Sequence, residues 1–205
     1  RHMVSVLDLL PTVLDSLGIP KPTRLDGRSF LPLLRGEKQE DRDYIIKEYN
    51  ENAGRSRDPM RAIQSKTHLY LFNPWSNGER IFATATNGTV TCKRMIKLSE
   101  EDEEMNKRLE LYRFRVPEEL YQVNKDPDCL ENLIDYASKD KVLKKLQSSL
   151  EKWLEKTNDP ILECFRKRDD PEFVEAYIQK LEGEANARRI KDKPSPKPKK
   201  EKKKS

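Results

Sequence analysis

The chain has 205 residues, with 41 Lys and Arg against 36 Asp and Glu; 38% of its residues are charged and 35% hydrophobic, too charged a mixture for every residue to find a place in one core. Its +5 excess is local: positions 191–205 hold eight lysines against Asp192 and Glu201, a net of +6 that leaves −1 for the rest. A nearly neutral folded part argues against nucleic acid as its partner, and no apolar run is long enough to cross a membrane as a helix.

Val4, Val6 and Leu7 read as the end of a buried strand. Asp8 can then cap a helix with Pro11 in its first turn, Gly18 as its stop and Pro20 against resumption. Leu9, Leu10, Val13, Leu14 and Leu17 share one face of that helix, which must bury against something. Arg1-His-Met-Val opens inside this apolar stretch, so a C-terminal fragment of a longer protein is expected. Prolines at 20, 22 and 32 and glycines at 27 and 36 make 19–42 an ordered connector with one helical turn at 29–34.

A strand is predicted over 44–49, then a polar loop over 50–58, then strands over 60–64 and 68–72 joined as an antiparallel hairpin by Ser65-Lys-Thr67. After a turn at 73–79, the stretch 81–91 reads as β-like. Ser99 with Asp102 reads as a capping box for a helix to about Tyr112, whose Leu98, Met105, Leu109 and Tyr112 suggest a face lying on the sheet. Leu120, Tyr121 and Val123 supply a fourth strand, closed by turn chemistry in Asn124-Lys-Asp-Pro-Asp128. Leu130, Leu133 and Ile134 are spaced for a helical face. Val142, Leu143, Leu146, Leu150, Trp153 and Leu154 predict a long amphipathic helix over 140–157 that covers the sheet, with Trp153 as a packing anchor. A second helix is predicted over 171–189, and Pro194, Pro196 and Pro198 among lysines mark a disordered basic tail.

Glu119-Leu-Tyr, Asp126-Pro-Asp128, Glu131-Asn-Leu133, Trp153 and Thr157-Asn-Asp-Pro160 together resemble the C-terminal subdomain of the sulfatase family. Arg115-Val-Pro-Glu-Glu-Leu-Tyr narrows the resemblance to its heparan N-sulfatase, or N-sulfoglucosamine sulfohydrolase-like, branch. Val4-Ser-Val-Leu-Asp-Leu-Leu-Pro-Thr-Val-Leu-Asp15 and Leu25-Asp-Gly-Arg-Ser-Phe-Leu-Pro-Leu-Leu34 resemble the stretch just after the catalytic domain. The implied fold is α/β, the C-terminal part of an alkaline-phosphatase-like sulfatase: a small antiparallel sheet of about four strands on a long helix. The implied organisation is 1–36 as the end of the catalytic domain and connector, 37–165 as the C-terminal subdomain, 166–190 as a helical extension and 191–205 as the tail.

By this resemblance the parent hydrolyses sulfate esters or N-sulfates on glycosaminoglycan-type saccharides and is exported to a periplasmic, secreted or lysosomal location. The family uses calcium and a formylglycine made from a Cys/Ser-x-Pro-x-Arg motif. Cys164-Phe-Arg-Lys-Arg168 has arginine where proline should stand, and Cys92 and Cys129 are further from the pattern, so the fragment is expected to be inactive and to bind neither group. The expected partners are a sulfated saccharide and the N-terminal sulfatase domain.

In the family the loop at 48–61 faces the sugar-binding side. Glu51 and Asn52 are therefore candidates for sugar hydroxyls, with surface solvation as the alternative. Arg61 is a candidate for a sulfate or carboxylate, with a brace to Glu48 or Asp58 as the alternative. His2 and His68 are isolated, and Asn87-Gly-Thr89 is a glycosylation sequon that matters only in a eukaryotic secretory pathway. The rival reading is a noncatalytic carbohydrate- or polyanion-binding protein acting through the lysine-rich tail. A phosphatase or phosphonate hydrolase is the rival within the superfamily, and Glu119-Leu-Tyr with Asp126-Pro-Asp argues against it.

Overall fold

A computed structural model describes residues 2–52, 56–82, 84–136 and 141–191. Of the predicted tail over 191–205 only Lys191 is described, and the predicted helix start at Asp140 lies outside the described residues. The chain is α/β, with a four-stranded sheet in the order β1 (Ile45–Tyr49), β2 (Met60–Gln64), β3 (Leu69–Phe72), β4 (Glu118–Tyr121). Its contacts divide it into two units. One comprises Arg1–Glu48, Arg61–Phe72 and Glu118–Asn158; the other comprises Tyr49–Met60, Asn73–Pro117 and Asp159–Ser205.

In the first unit β2 and β4 both run antiparallel to β3, and the register sets Ile63, Tyr70 and Leu120 side by side on one face. These residues are buried, as are Leu143, Leu146, Leu150 and Leu154 of α5 (Lys141–Lys156), which contacts β3. The Tyr70 hydroxyl and Gln147 Nε2 of α5 both donate to Glu118 Oε2, which ties the helix to the same face of the sheet. Trp153 is only half-buried, and the four leucines rather than the indole form the buried stripe of α5.

Among the described residues no strand forms over 4–7. Val6–Asp8 is a 3-10 turn with Ser5 as its N-cap, leading into α1 (Leu9–Ser16), and Val6 is 83% exposed. Asp8 does not cap α1 with its side chain. Its carboxylate accepts from Ser5 N at 2.7 Å, Arg28 N at 2.9 Å and Arg42 Nη2 at 2.8 Å, which binds the connector across the helix start. Thr12 extends the seam: its hydroxyl donates to Asp8 O and accepts from Phe30 N. The connector's helical turn is α2 (Leu31–Leu34).

The polar segment after β4 is not a helix up to Ile134, where a 3-10 turn begins. Asp126 accepts from Leu130 N and Glu131 N, while Asn132 Oδ1 accepts from Leu120 N and Leu133 N donates to Leu120 O. Side-chain bonds to backbone thus hold the segment against β4 and outcompete helical pairing.

In the second unit the predicted β-like stretch at 81–91 is instead a 3-10 turn, Ala85–Gly88, followed by α3 (Val90–Leu98). Thr84 accepts from Thr86 N and Thr89 from Cys92 N; capping by threonine hydroxyls outweighs β-propensity here. Helix α4 (Glu103–Arg113) is capped by Asp102, which accepts from Met105 N, while Ser99 closes α3 rather than opening α4. Helices α6 (Leu162–Arg166) and α7 (Pro171–Lys191) complete the unit, with Ile161, Cys164, Phe165 and Ile178 buried. Trp75, 1% exposed, stacks on Phe82 at 5.2 Å, and Tyr49 meets Phe82 edge-on at 5.8 Å.

Candidate functional site

The polar loop leaves β1 at Tyr49, and its two limbs are joined by paired bonds. Asn52 N donates to Ser56 O at 3.1 Å, and Ser56 N donates to Asn52 Oδ1 at 3.0 Å. An asparagine side chain that copies a backbone turn in this way fixes the neck of the loop, so Asn52 has a structural task there.

Glu51, beside it, is gripped by two guanidinium groups. Its Oε2 accepts from Arg188 Nη2 at 2.6 Å and from Arg57 Nε at 3.4 Å, and Arg57 Nη1 donates to Glu184 Oε2 at 3.0 Å. The Arg188 hydrogen bond, working against partial burial and reinforced by the charges of Arg188 and Arg57, holds the Glu51 carboxyl below the usual carboxylate range. A carboxylate kept ionised in this way is an acceptor and orienting group, not a proton donor at neutral pH.

An open cleft of about 130 Å³ lies between the loop and α7, lined by Ser56, Arg57, Glu182, Ala185, Asn186 and Arg189. Hydroxyl, amide, guanidinium and carboxylate groups on its walls suit exchange of hydrogen bonds with a polyhydroxylated or anionic ligand.

Arg61 belongs to the other unit. It is 2% exposed and stands opposite Phe72 in the β2–β3 register, on the face that also carries Ile63 and Tyr70. Glu51 and Asn52 are thus adjacent on one loop limb, while Arg61 sits within a packed sheet face. Arg57, Glu184 and Arg188 escaped the sequence reading. Glu51 and Arg188 are 137 positions apart, and no local pattern announces a pair at that separation.

Among the described residues none fits calcium or formylglycine. Among the described residues no group of three or more His, Cys, Asp or Glu could hold a metal ion. Cys92 and Cys164 are buried, burial pushes the Cys164 thiol up to about 12, and Cys129 is half-buried. No helix among the described residues is long and apolar enough to cross a membrane.

Residues 1–77 match the family described as N-sulphoglucosamine sulphohydrolase, C-terminal. Over that stretch the chain is similar to sulfatases. The human N-sulphoglucosamine sulphohydrolase is 28% identical over 171 residues, covering 77% of this chain and 33% of the human protein. The Delta 4,5-hexuronate-2-O-sulfatase of Bacteroides thetaiotaomicron is 35% identical over 77 residues, 37% of this chain and 16% of that one. A solved 2-O GAG sulfatase aligns with 74% of this chain and 25% of its own at 25% identity and a TM-score of 0.49. The chain therefore spans about a sixth to a third of the length of these curated relatives.

Proposed function

We propose that this chain is the C-terminal part of a sulfatase that hydrolyses sulfate esters or N-sulfates on glycosaminoglycan-type saccharides. The observation that carries the reading is the match of 1–77 to the C-terminal region of N-sulphoglucosamine sulphohydrolase, extended by the human relative over 77% of the chain. The nucleophile and its calcium would be supplied by sulfatase sequence outside these residues, and export goes with the same family reading. Within this chain the Glu51 and Asn52 loop is the saccharide-facing element, offering an ionised acceptor and a rigid neck beside a polar cleft. Arg61 is 2% exposed at the start of β2, which favours the bracing alternative for it over direct contact with the saccharide.

The exposed apolar face of α1 supports the partner proposed for it. Leu9, Leu10, Val13 and Leu17 are exposed, together with Val6 and Leu7 before them. Such a contiguous face on one helix suits burial against the preceding catalytic domain. The test is to join the chain to the sulfatase sequence that precedes it in its parent and assay release of sulfate from N-sulfated and O-sulfated glucosaminides. Sulfate release by the joined protein, lost on replacing the formylglycine precursor, is expected. A joined protein that folds, carries formylglycine and releases no sulfate from either class would overturn the reading.

A further inference from the structure

We propose that α7 braces the candidate saccharide loop, with Arg188 and Glu184 as positioning residues for Glu51 and Asn52; the positioning role rests on the reading of that loop given above. Glu184 and Arg188 are one helical turn apart and so lie on the same face of α7. Glu184 meets Arg57 of one loop limb at 3.0 Å, and Arg188 meets Glu51 of the other at 2.6 Å. The two pairs have opposite polarity. Sliding α7 by one turn would bring like charges together, so the crossed arrangement specifies the register of helix and loop.

The apolar anchoring of α7 ends at Ala185, within the turn that carries Glu184 and Arg188. Ile178 and Ala185 are buried, whereas Ile190 is 69% exposed. Nearer the start of α7, Arg80 forks onto Glu175 at 2.8 and 3.0 Å and approaches Glu182 at 3.7 Å, so ionic contacts follow the helix along its length. Its last turns are thus held to the loop by charge, and holding Glu51 from one side while Arg57 is held from the other fixes both limbs at the Asn52–Ser56 neck.

The consequence is a loop whose order depends on residues more than 120 positions away, and whose release exposes Glu51. Hydrogen exchange on the full chain tests the brace, read at the Asn52 and Ser56 amides with the α5 amides as the folding control. In an E184Q/R188Q variant, exchange at Asn52 and Ser56 is expected to rise about fivefold, the order for two partly exposed ion pairs, with α5 unchanged. R188K, which keeps the charge, should recover much of the protection. Unchanged exchange at both amides in a folded double variant overturns the proposal.

If the double variant does not fold, the native chain decides the matter. In 1 M salt, where screening acts over about 3 Å, the same two amides should accelerate relative to α5, and no acceleration again overturns the brace. In the joined protein, the double variant should raise KM for the sulfated saccharide with kcat kept. Faster loop exchange with an unchanged KM would leave the brace standing and remove Glu51 and Asn52 from the saccharide site.

Discussion

Gly27 shows how closely two segments can be held by a few polar atoms. A Cβ at that position would lie 2.0 Å from Leu7 O and 2.5 Å from its carbonyl carbon, both backbone atoms that cannot swing aside. Gly27→Ala is expected to destabilise the fold by about 1–3 kcal/mol, and a denaturant midpoint equal to that of the native chain would show that the connector is looser than described. Asp8, which binds that connector, has a depressed pKa: burial pushes upward, but the Ser5 and Arg28 N–H bonds and the Arg42 charge outweigh it. A carboxylate depressed on folding contributes stability fully above its ordinary value near 3.8 and loses that contribution as pH falls through the lower folded value. Asp8→Asn should therefore cost roughly 2–3 kcal/mol at pH 7, with the gap to the native chain closing in acid, as urea titrations from pH 7 down to 2 would record. Arg61, buried in the sheet face, belongs to this scale too. Arg61→Lys in the joined enzyme is expected to lower the melting temperature and leave KM unchanged, because a buried guanidinium is exchanged for an ammonium of different shape and donor geometry; a raised KM at an unchanged melting temperature would support Arg61 as a saccharide contact.

Among the elements, α5 carries the first unit through Leu143, Leu146, Leu150 and Leu154, not through its largest side chain. Leu150→Ala is expected to cost about 2–5 kcal/mol because a fully buried site leaves a cavity, and Trp153→Ala should cost clearly less. Chemical denaturation of the two variants side by side checks the order, and a larger loss for Trp153→Ala would mean that the half-exposed indole contributes more than its burial suggests. Trp75, fully buried and stacked on Phe82, is the tryptophan whose loss should be severe. The same contrast marks the misread elements. Threonine caps made a helix of the stretch after Thr89, and the Asp126 and Asn132 side chains kept 130–133 from being one. Hydrophobic periodicity does not register such local hydrogen bonds.

For the whole molecule, the exposed apolar face at the N-terminal end is the feature with the widest consequence. Leu10→Asp with Val13→Asp is expected to leave the melting temperature of the isolated chain within about 1 °C while reducing any self-association, since both side chains are exposed. In the joined sulfatase the same pair should prevent assembly with the preceding domain. Normal yield and activity of that doubly substituted enzyme would show that another surface makes the domain contact.

The sequence by itself determined the order of strands and principal helices. The strand at Met60–Gln64 falls on the residues predicted for it, and α5 and α7 start and stop within two residues of their predicted ends wherever the chain is described. These elements are written in short-range periodicity, in caps and in turn residues, all of which a single segment carries. The similarity to sulfatases over 1–77 was legible for a related reason, because the motifs at 4–15 and 25–34 are runs of adjacent residues. Tertiary structure alone decided which polar residues meet. Asp8 with Arg42, Glu118 with Tyr70 and Gln147, and Glu51 with Arg57 and Arg188 are pairings between distant segments, and the packing of β2 sets the burial of Arg61. A charged side chain looks alike in sequence whether it faces water, a partner or a ligand. Its role follows from what the folded chain places within hydrogen-bonding reach.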